Sequence, residues 1–315
     1  MRRAAAVLAA TTLLFPAPPA APAAAAPATV TWTVQPATAA GPDGRRWIEQ
    51  TLDPGQRLTE HLAVRNLGDT PAVFTLSAAD GYLTAKGRFN MLPSDRASTD
   101  GGTWIEVPPT VTVEPGKTAV VPFTITAPPG ALPGDHPAGI AASIAGTRGT
   151  VQVESRVGFR VLLRASGTLQ PSLATDQVRS SYARSWLPWR PGTLRVSYQL
   201  TNTGNTRLTV TSKIGSATTD LGELLPGGAR PVDAEVDGVW SFGRVRSTVA
   251  LLPTVPGEPT PREPSTLTVT TWAMPWPQLL TLLAAALLLY AWRLRRRHLA
   301  TMLEKAREEG RRSAV

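Results

Sequence analysis

Few residues in this 315-residue chain are of types that do chemistry. There are three histidines and no cysteine. His61 falls mid-strand on a polar face, His136 sits in Pro133-Gly134-Asp135-His136-Pro137, and His298 lies in an arginine-rich flank. No two of them have metal-ligand spacing, and no His-Glu-x-x-His occurs. Gly-x-Ser-x-Gly, Ser-x-x-Lys and P-loop patterns are also missing. Asp80, Asp95, Asp100 and Glu106 gather in one segment, and a carboxylate pair at the right separation does glycosidase work. Loop aspartates more often cap backbone N–H groups, and Pro-Gly-Asp is a turn signal first. The reading is non-enzymatic, with no catalytic residue, no metal ligand and no cofactor.

Aromatic residues are better candidates for ligand contact. Trp186-Leu187-Pro188-Trp189-Arg190-Pro191-Gly192 puts two tryptophans in a loop, where exposed rings stack on sugars or touch a bilayer surface. The reading preferred from sequence is that one or both fold over the end of a core. Tyr82, Phe89 and Trp104 carry the same ambiguity in the segment 80–104. These five are the candidate ligand-binding residues.

The elements that position them are bracketed by two apolar ends. Residues 1–25 read as a secretory signal: Met1-Arg2-Arg3, an apolar run, then small residues with Ala-x-Ala cleavage after Ala25. Near the other end, Pro275-Trp276-Pro277 opens an uncharged run that closes at Tyr290 and Trp292 against Arg293-Leu294-Arg295-Arg296-Arg297. Residues 275–292 read as a transmembrane helix with aromatic belts and a stop-transfer flank. The expected bilayer contact runs from Trp276 to Trp292, at opposite interfaces, with little tilt. By the positive-inside bias the tail 293–315 is cytoplasmic, and the rest is an ectodomain outside a cell membrane crossed once.

Charge follows this topology. The formal net charge is +9; Arg2 and Arg3 carry +2, and eight Lys/Arg against three Glu after Trp292 carry +5. The remaining +2 makes no nucleic-acid footprint, so no nucleic-acid partner is expected. The tail has good helix formers and reads as a solvated helical extension suited to anionic headgroups.

Between the ends, 30 Pro and 26 Gly punctuate short alternating segments, which is the pattern of an all-β protein. Leu58, Leu62 and Val64 share one strand face. Val121, Phe123 and Ile125 share another, and Val151, Val153, Val157, Phe159, Val161 and Leu163 a third. The expected architecture is two tandem immunoglobulin-like β-sandwiches, residues 28–165 and 166–270, plus one C-terminal transmembrane helix. A weak repeat supports it. Asn66-Leu67-Gly68-Asp69-Thr70 and Asn202-Thr203-Gly204-Asn205-Thr206 each separate two strands, and Asn with Gly tolerates a left-handed hairpin. Five prolines within residues 253–264 form an extended loop before a last strand at 265–270.

The segment from Gly87-Arg88-Phe89-Asn90-Met91-Leu92-Pro93-Ser94-Asp95 through Thr99-Asp100-Gly101-Gly102-Thr103-Trp104-Ile105 resembles the N-terminal domain of the WxL-interacting proteins. Leu52-Asp53-Pro54-Gly55, Asn66-Leu67-Gly68-Asp69-Thr70-Pro71, Val113-Glu114-Pro115-Gly116 and Pro133-Gly134-Asp135-His136-Pro137-Ala138-Gly139-Ile140 agree with it. The resemblance covers about residues 30–165, and the Ala-, Arg- and Pro-rich composition suits a high-GC, actinobacterial-type member. It implies a peptidoglycan-binding first domain and a second domain that contacts proteins. Peptidoglycan, a surface protein, or both are the expected partners. The alternative is an extracytoplasmic structural subunit of a membrane complex.

Overall fold

The computed structural model describes residues 30–148, 151–215, 217–258 and 263–312. The expected signal segment, 1–25, lies outside them. The described chain is mostly strand, with one long helix at its C-terminal end.

The first unit runs β1 (Trp32–Thr38), β2 (Gly41–Pro42), β3 (Ile48–Leu52), β4 (Arg57–Asn66), β5 (Ala72–Leu83), β6 (Phe89–Met91), β7 (Ile105–Glu106), β8 (Thr110–Val113), β9 (Thr118–Thr126), β10 (Gly134–Arg148) and β11 (Val151–Ala165). One sheet has the order β2-β1-β4-β9-β7, the other β3-β11-β10-β5-β6, with β8 paired to β5. Val34, Leu62 and Phe123 from the first sheet meet Phe74, Ile140 and Val161 from the second in one core. Each such side chain contributes about 1.5–3 kcal/mol by leaving water.

The alternation expected along β11 holds for Phe159, Val161 and Leu163, which are buried, and fails for Val153 and Val157, which are exposed. The reason is pairing. Val153 lies opposite Gly146, past the 138–143 stretch where β5 joins β10, so the tip of the β10–β11 hairpin projects beyond the sheet. Val157, opposite Ala142, lies ahead of Val161, where β3 begins to pair with β11.

The second unit runs β12 (Leu173–Ala183), β13 (Gly192–Asn202), β14 (Leu208–Ile214), β15 (Ala217–Leu224), β16 (Ala229–Val239), β17 (Gly243–Thr254) and β18 (Ser265–Ala273). Its sheets, β12-β13-β16 and β15-β14-β17-β18, enclose a separate core around Leu194, Leu200, Leu208 and Leu251. β18 extends past the strand expected at 265–270, so only Met274 and Pro275 separate it from the helix. That helix, α1 (Trp276–Arg312), has 37 residues and a length of about 55 Å. Its apolar part is long enough to cross a bilayer, and it runs on without a break into the basic tail.

The repeated Asn-x-Gly-x-Thr turn is real, but its cause differs from the one expected. Neither Gly68 nor Gly204 has positive φ. Instead Asn66 and Asn202, both 0% exposed, make matching bonds. Asn66 Nδ2 donates to Thr70 O and Val113 O, and its Oδ1 accepts from Gly68 N. Asn202 Nδ2 donates to Thr206 O and Leu224 O, and its Oδ1 accepts from Gly204 N. Left-handed glycines sit instead in the turns that lead into β9 and β16. Gly116 in Glu114-Pro115-Gly116-Lys117 and Gly227 in Leu225-Pro226-Gly227-Gly228 both have φ of 69°.

Candidate functional site

The segment Pro133-Gly134-Asp135-His136-Pro137, a turn signal in the sequence, instead opens β10, and it joins three parts of the molecule. Asp135, mostly buried, takes Arg164 Nε at 2.6 Å and Nη2 at 3.0 Å from the neighbouring strand. It also takes Thr206 Oγ1 at 2.9 Å and Arg207 N at 2.6 Å from the second unit. Asn205 O accepts from Asp135 N, and Asn205 Nδ2 donates to Pro133 O. Gly134 has φ of 131°, and a Cβ there would lie 2.1 Å from Asn205 O, so only glycine fits this crossing. Burial pushes the Asp135 pKa up, but the Arg164 hydrogen bond, the Arg207 N–H, the Arg164 charge and Thr206 outweigh it and leave it lowered.

His136 faces the other way. Its Nδ1 lies 2.5 Å from Asp100 Oδ1, its Nε2 lies 2.8 Å from Leu132 O, and its ring stacks on Trp104 at 4.4 Å. An acceptor beside each ring nitrogen favours the doubly protonated ring. Burial lowers its pKa, but the Asp100 and Leu132 bonds and the Asp100 and Asp135 charges outweigh burial and raise it. The contribution of this pair is full below the unfolded histidine value of about 6.5 and fades as pH rises through the folded value. Thermal unfolding should therefore show a loss of stability above about pH 6.5 that His136→Gln removes. An unchanged pH slope in that variant would refute the assignment.

Three of the carboxylates in the segment 80–106 have structural partners. Asp80 accepts from the backbone N–H groups of Thr99, Asp100 and Gly102, which folds residues 84–104 onto the sheet. Gly102 must be glycine, since a Cβ would lie 2.4 Å from Asp80 N. Asp100 is engaged by His136, and Glu106 is exposed near Arg57.

The five aromatic candidates separate. Trp104, 6% exposed, belongs to the first core and offers no ligand surface. Phe89, with Met91, Arg156 and Phe159, lines a small cavity on the outer face of the β10–β11 sheet. Tyr82 is exposed beside it, with its hydroxyl accepting from Asn90 Nδ2. Trp186 and Trp189 do not fold over the second core; both are exposed.

Sequence reasoning missed the cleft where the two units meet. It holds about 450 Å³ and is lined by Trp47, Glu49, Arg160, Arg207, Glu223 and Pro256, among others. The Arg160 guanidinium lies 4.4 Å above the Trp47 ring and donates to Glu223 at 2.9 Å. Arg207 pairs with Glu49 and approaches Glu223 at 3.9 Å, while its buried Nε has no hydrogen-bond partner among the described residues. No local sequence pattern places Trp47 near Arg207; the Asp135 crossing, with the Arg160–Glu223 and Arg207–Glu49 pairs, brings them together.

No family model and no curated protein matches the sequence. Solved structures similar to it include the class 5 fimbriae chaperone CfaA, at 12% identity over 76% of this chain and 99% of that one, with a TM-score of 0.36. The SafA pilin of Salmonella enterica in complex with the SafB chaperone gives 11%, 78%, 99% and 0.36. The E. coli chaperone DraB gives 10%, 77%, 98% and 0.34. Likeness this distant says nothing about ligand or partner. What the fold itself defines is an all-β chain with one apolar C-terminal helix.

Proposed function

We propose that this chain is a membrane-anchored, non-enzymatic binding protein of a bacterial cell surface, related to the WxL-interacting proteins, with two immunoglobulin-like sandwiches outside the cell. The observation that carries the reading is the cleft beside Trp47. An indole face, two arginines and two glutamates suit a ligand that offers sugar rings together with carboxylate and ammonium groups. Peptide-bearing glycan of the wall has that chemistry. The helix follows β18 after two residues, which supports an anchor set close against the second unit. The arginines after Trp292 orient the tail inward.

Cosedimentation of the full chain in detergent with insoluble peptidoglycan tests this. The chain is expected in the pellet, and Trp47→Ala is expected to lower retention about tenfold, on the scale of a lost aromatic contact of 1–2 kcal/mol. Trp186→Ala should leave retention unchanged. A wild-type chain left in the supernatant would sink the peptidoglycan part. That result would favour a surface-protein partner, or the role of an extracytoplasmic subunit of a membrane complex.

A further inference from the structure

A second surface lies at the opposite end of the second unit from the cleft. Strand pairing brings its parts together: Ala183 pairs with Thr193, Gly192 with Val239, and Gly243 with Ala273. The loop 184–191, the turn 240–242 and the end of β18 therefore leave the sandwich on one side, where α1 begins. Gln278 Nε2 donates to Pro188 O at 3.1 Å, tying that loop to the first turn of the helix. Trp272 and Trp276 line one shallow cavity there with Arg184.

The side chains presented at this end are unusual for a surface in water. Phe242 is 83% exposed and Trp186 72%, and Trp189, Trp240 and Trp272 are exposed with them. Trp240 and Phe242 stack at 6.3 Å, Arg184 lies over Trp186, and Arg244 lies over Trp272. Aromatic rings with arginines among them are the composition of a membrane interface, where indoles sit at headgroup depth and guanidinium groups meet phosphate.

We infer that this aromatic collar docks into the outer headgroup zone of the same bilayer that α1 spans. The inference rests on the anchor reading above. The occupant is phospholipid because the collar surrounds the point where the apolar helix leaves the sandwich, after a spacer of only Met274 and Pro275. Three separate segments dip together, so the sandwich is held at a fixed attitude. The eleven residues of β13 then set the cleft about 35 Å from the membrane.

The chain has no cysteine, so single reporters can be placed without background. Phe242→Cys, Trp186→Cys, Leu283→Cys and Leu67→Cys would each carry a nitroxide in the full chain, reconstituted in vesicles of mixed zwitterionic and anionic phospholipid. Collision rates with oxygen and with a water-soluble nickel chelate report depth. The Leu283 label should be rich in oxygen and closed to nickel, and the Leu67 label open to nickel. Labels at 242 and 186 should show severalfold lower nickel access than the one at 67, with raised oxygen access. Nickel access at 242 and 186 equal to that at 67, with 283 in lipid, would overturn the collar and leave the anchor standing. A 283 label in water would remove both. Labels at 242 and 186 closed to both reagents would indicate a second copy or another protein on this surface, and would overturn the lipid assignment.

Discussion

Asp135→Ala is expected to cost about 3–5 kcal/mol, the range for a buried charge pair that loses one partner. The change leaves Arg164 with only Thr206 Oγ1, at 3.3 Å, and the Arg207 N–H without its acceptor, and it removes a side chain bonded to Arg164 of the first unit and to both Thr206 and Arg207 of the second. The loss belongs to the junction rather than to either core, because Asp135 is a member of neither hydrophobic cluster. In a scanning calorimeter the two units should then melt separately, with proteolysis appearing near residues 166–172. Asp135→Asn should fall between: it keeps an acceptor for Arg207 N but turns an amide N–H₂ toward Arg164. Acid should reproduce the effect. The folded carboxyl has a lowered pKa, so its contribution is present above the ordinary carboxylate value of about 3.9 and is lost as pH falls through the folded value. One unsplit transition in Asp135→Ala, at the wild-type temperature, would show that the crossing does not couple the units.

The junction also marks how far the sequence can be read. Strands were legible because alternation is a local property. Val121, Phe123 and Ile125 are buried in β9 as their period implies. The same rule misplaced Val153 and Val157, since it cannot sense where the neighbouring strands β5 and β3 stop. The helix was legible from its apolar run and its flank. The segment 133–137 was visible only as a turn signal, although it opens β10, because its carboxylate finds ligands some 70 residues away in Thr206 and Arg207. Trp104 was misjudged for a similar reason: nothing near it in sequence reveals the stacked His136 or the surrounding core. Trp186 and Trp189 were misjudged in the opposite sense. Burial is the ordinary fate of an indole in water, and it was overridden here at the end of the sandwich where the apolar helix departs.

Asn66→Ala and Asn202→Ala should each lower stability by about 2–4 kcal/mol, because each removes two hydrogen bonds to backbone carbonyls and one from a backbone N–H. Neither loss is one of volume, so an isosteric Asp should fare no better: it presents acceptors to Thr70 O and Val113 O, or to Thr206 O and Leu224 O. The two sites are local copies, and their local losses should match. Their reach should not. Thr206 and Arg207, which grip Asp135, directly follow the Asn202 turn, whereas Asn66 closes a turn whose bonds stay within the first unit. A double-mutant cycle separates these cases. Asn202→Ala combined with Asp135→Ala should lose less than the sum of the two, since the first change already frees the turn that the second lets go. Asn66→Ala with Asp135→Ala should be additive within about 0.5 kcal/mol. Equal coupling in both cycles would mean that the repeated turn is only a hairpin device in each unit, and that the second copy has not been recruited to fasten the two units together.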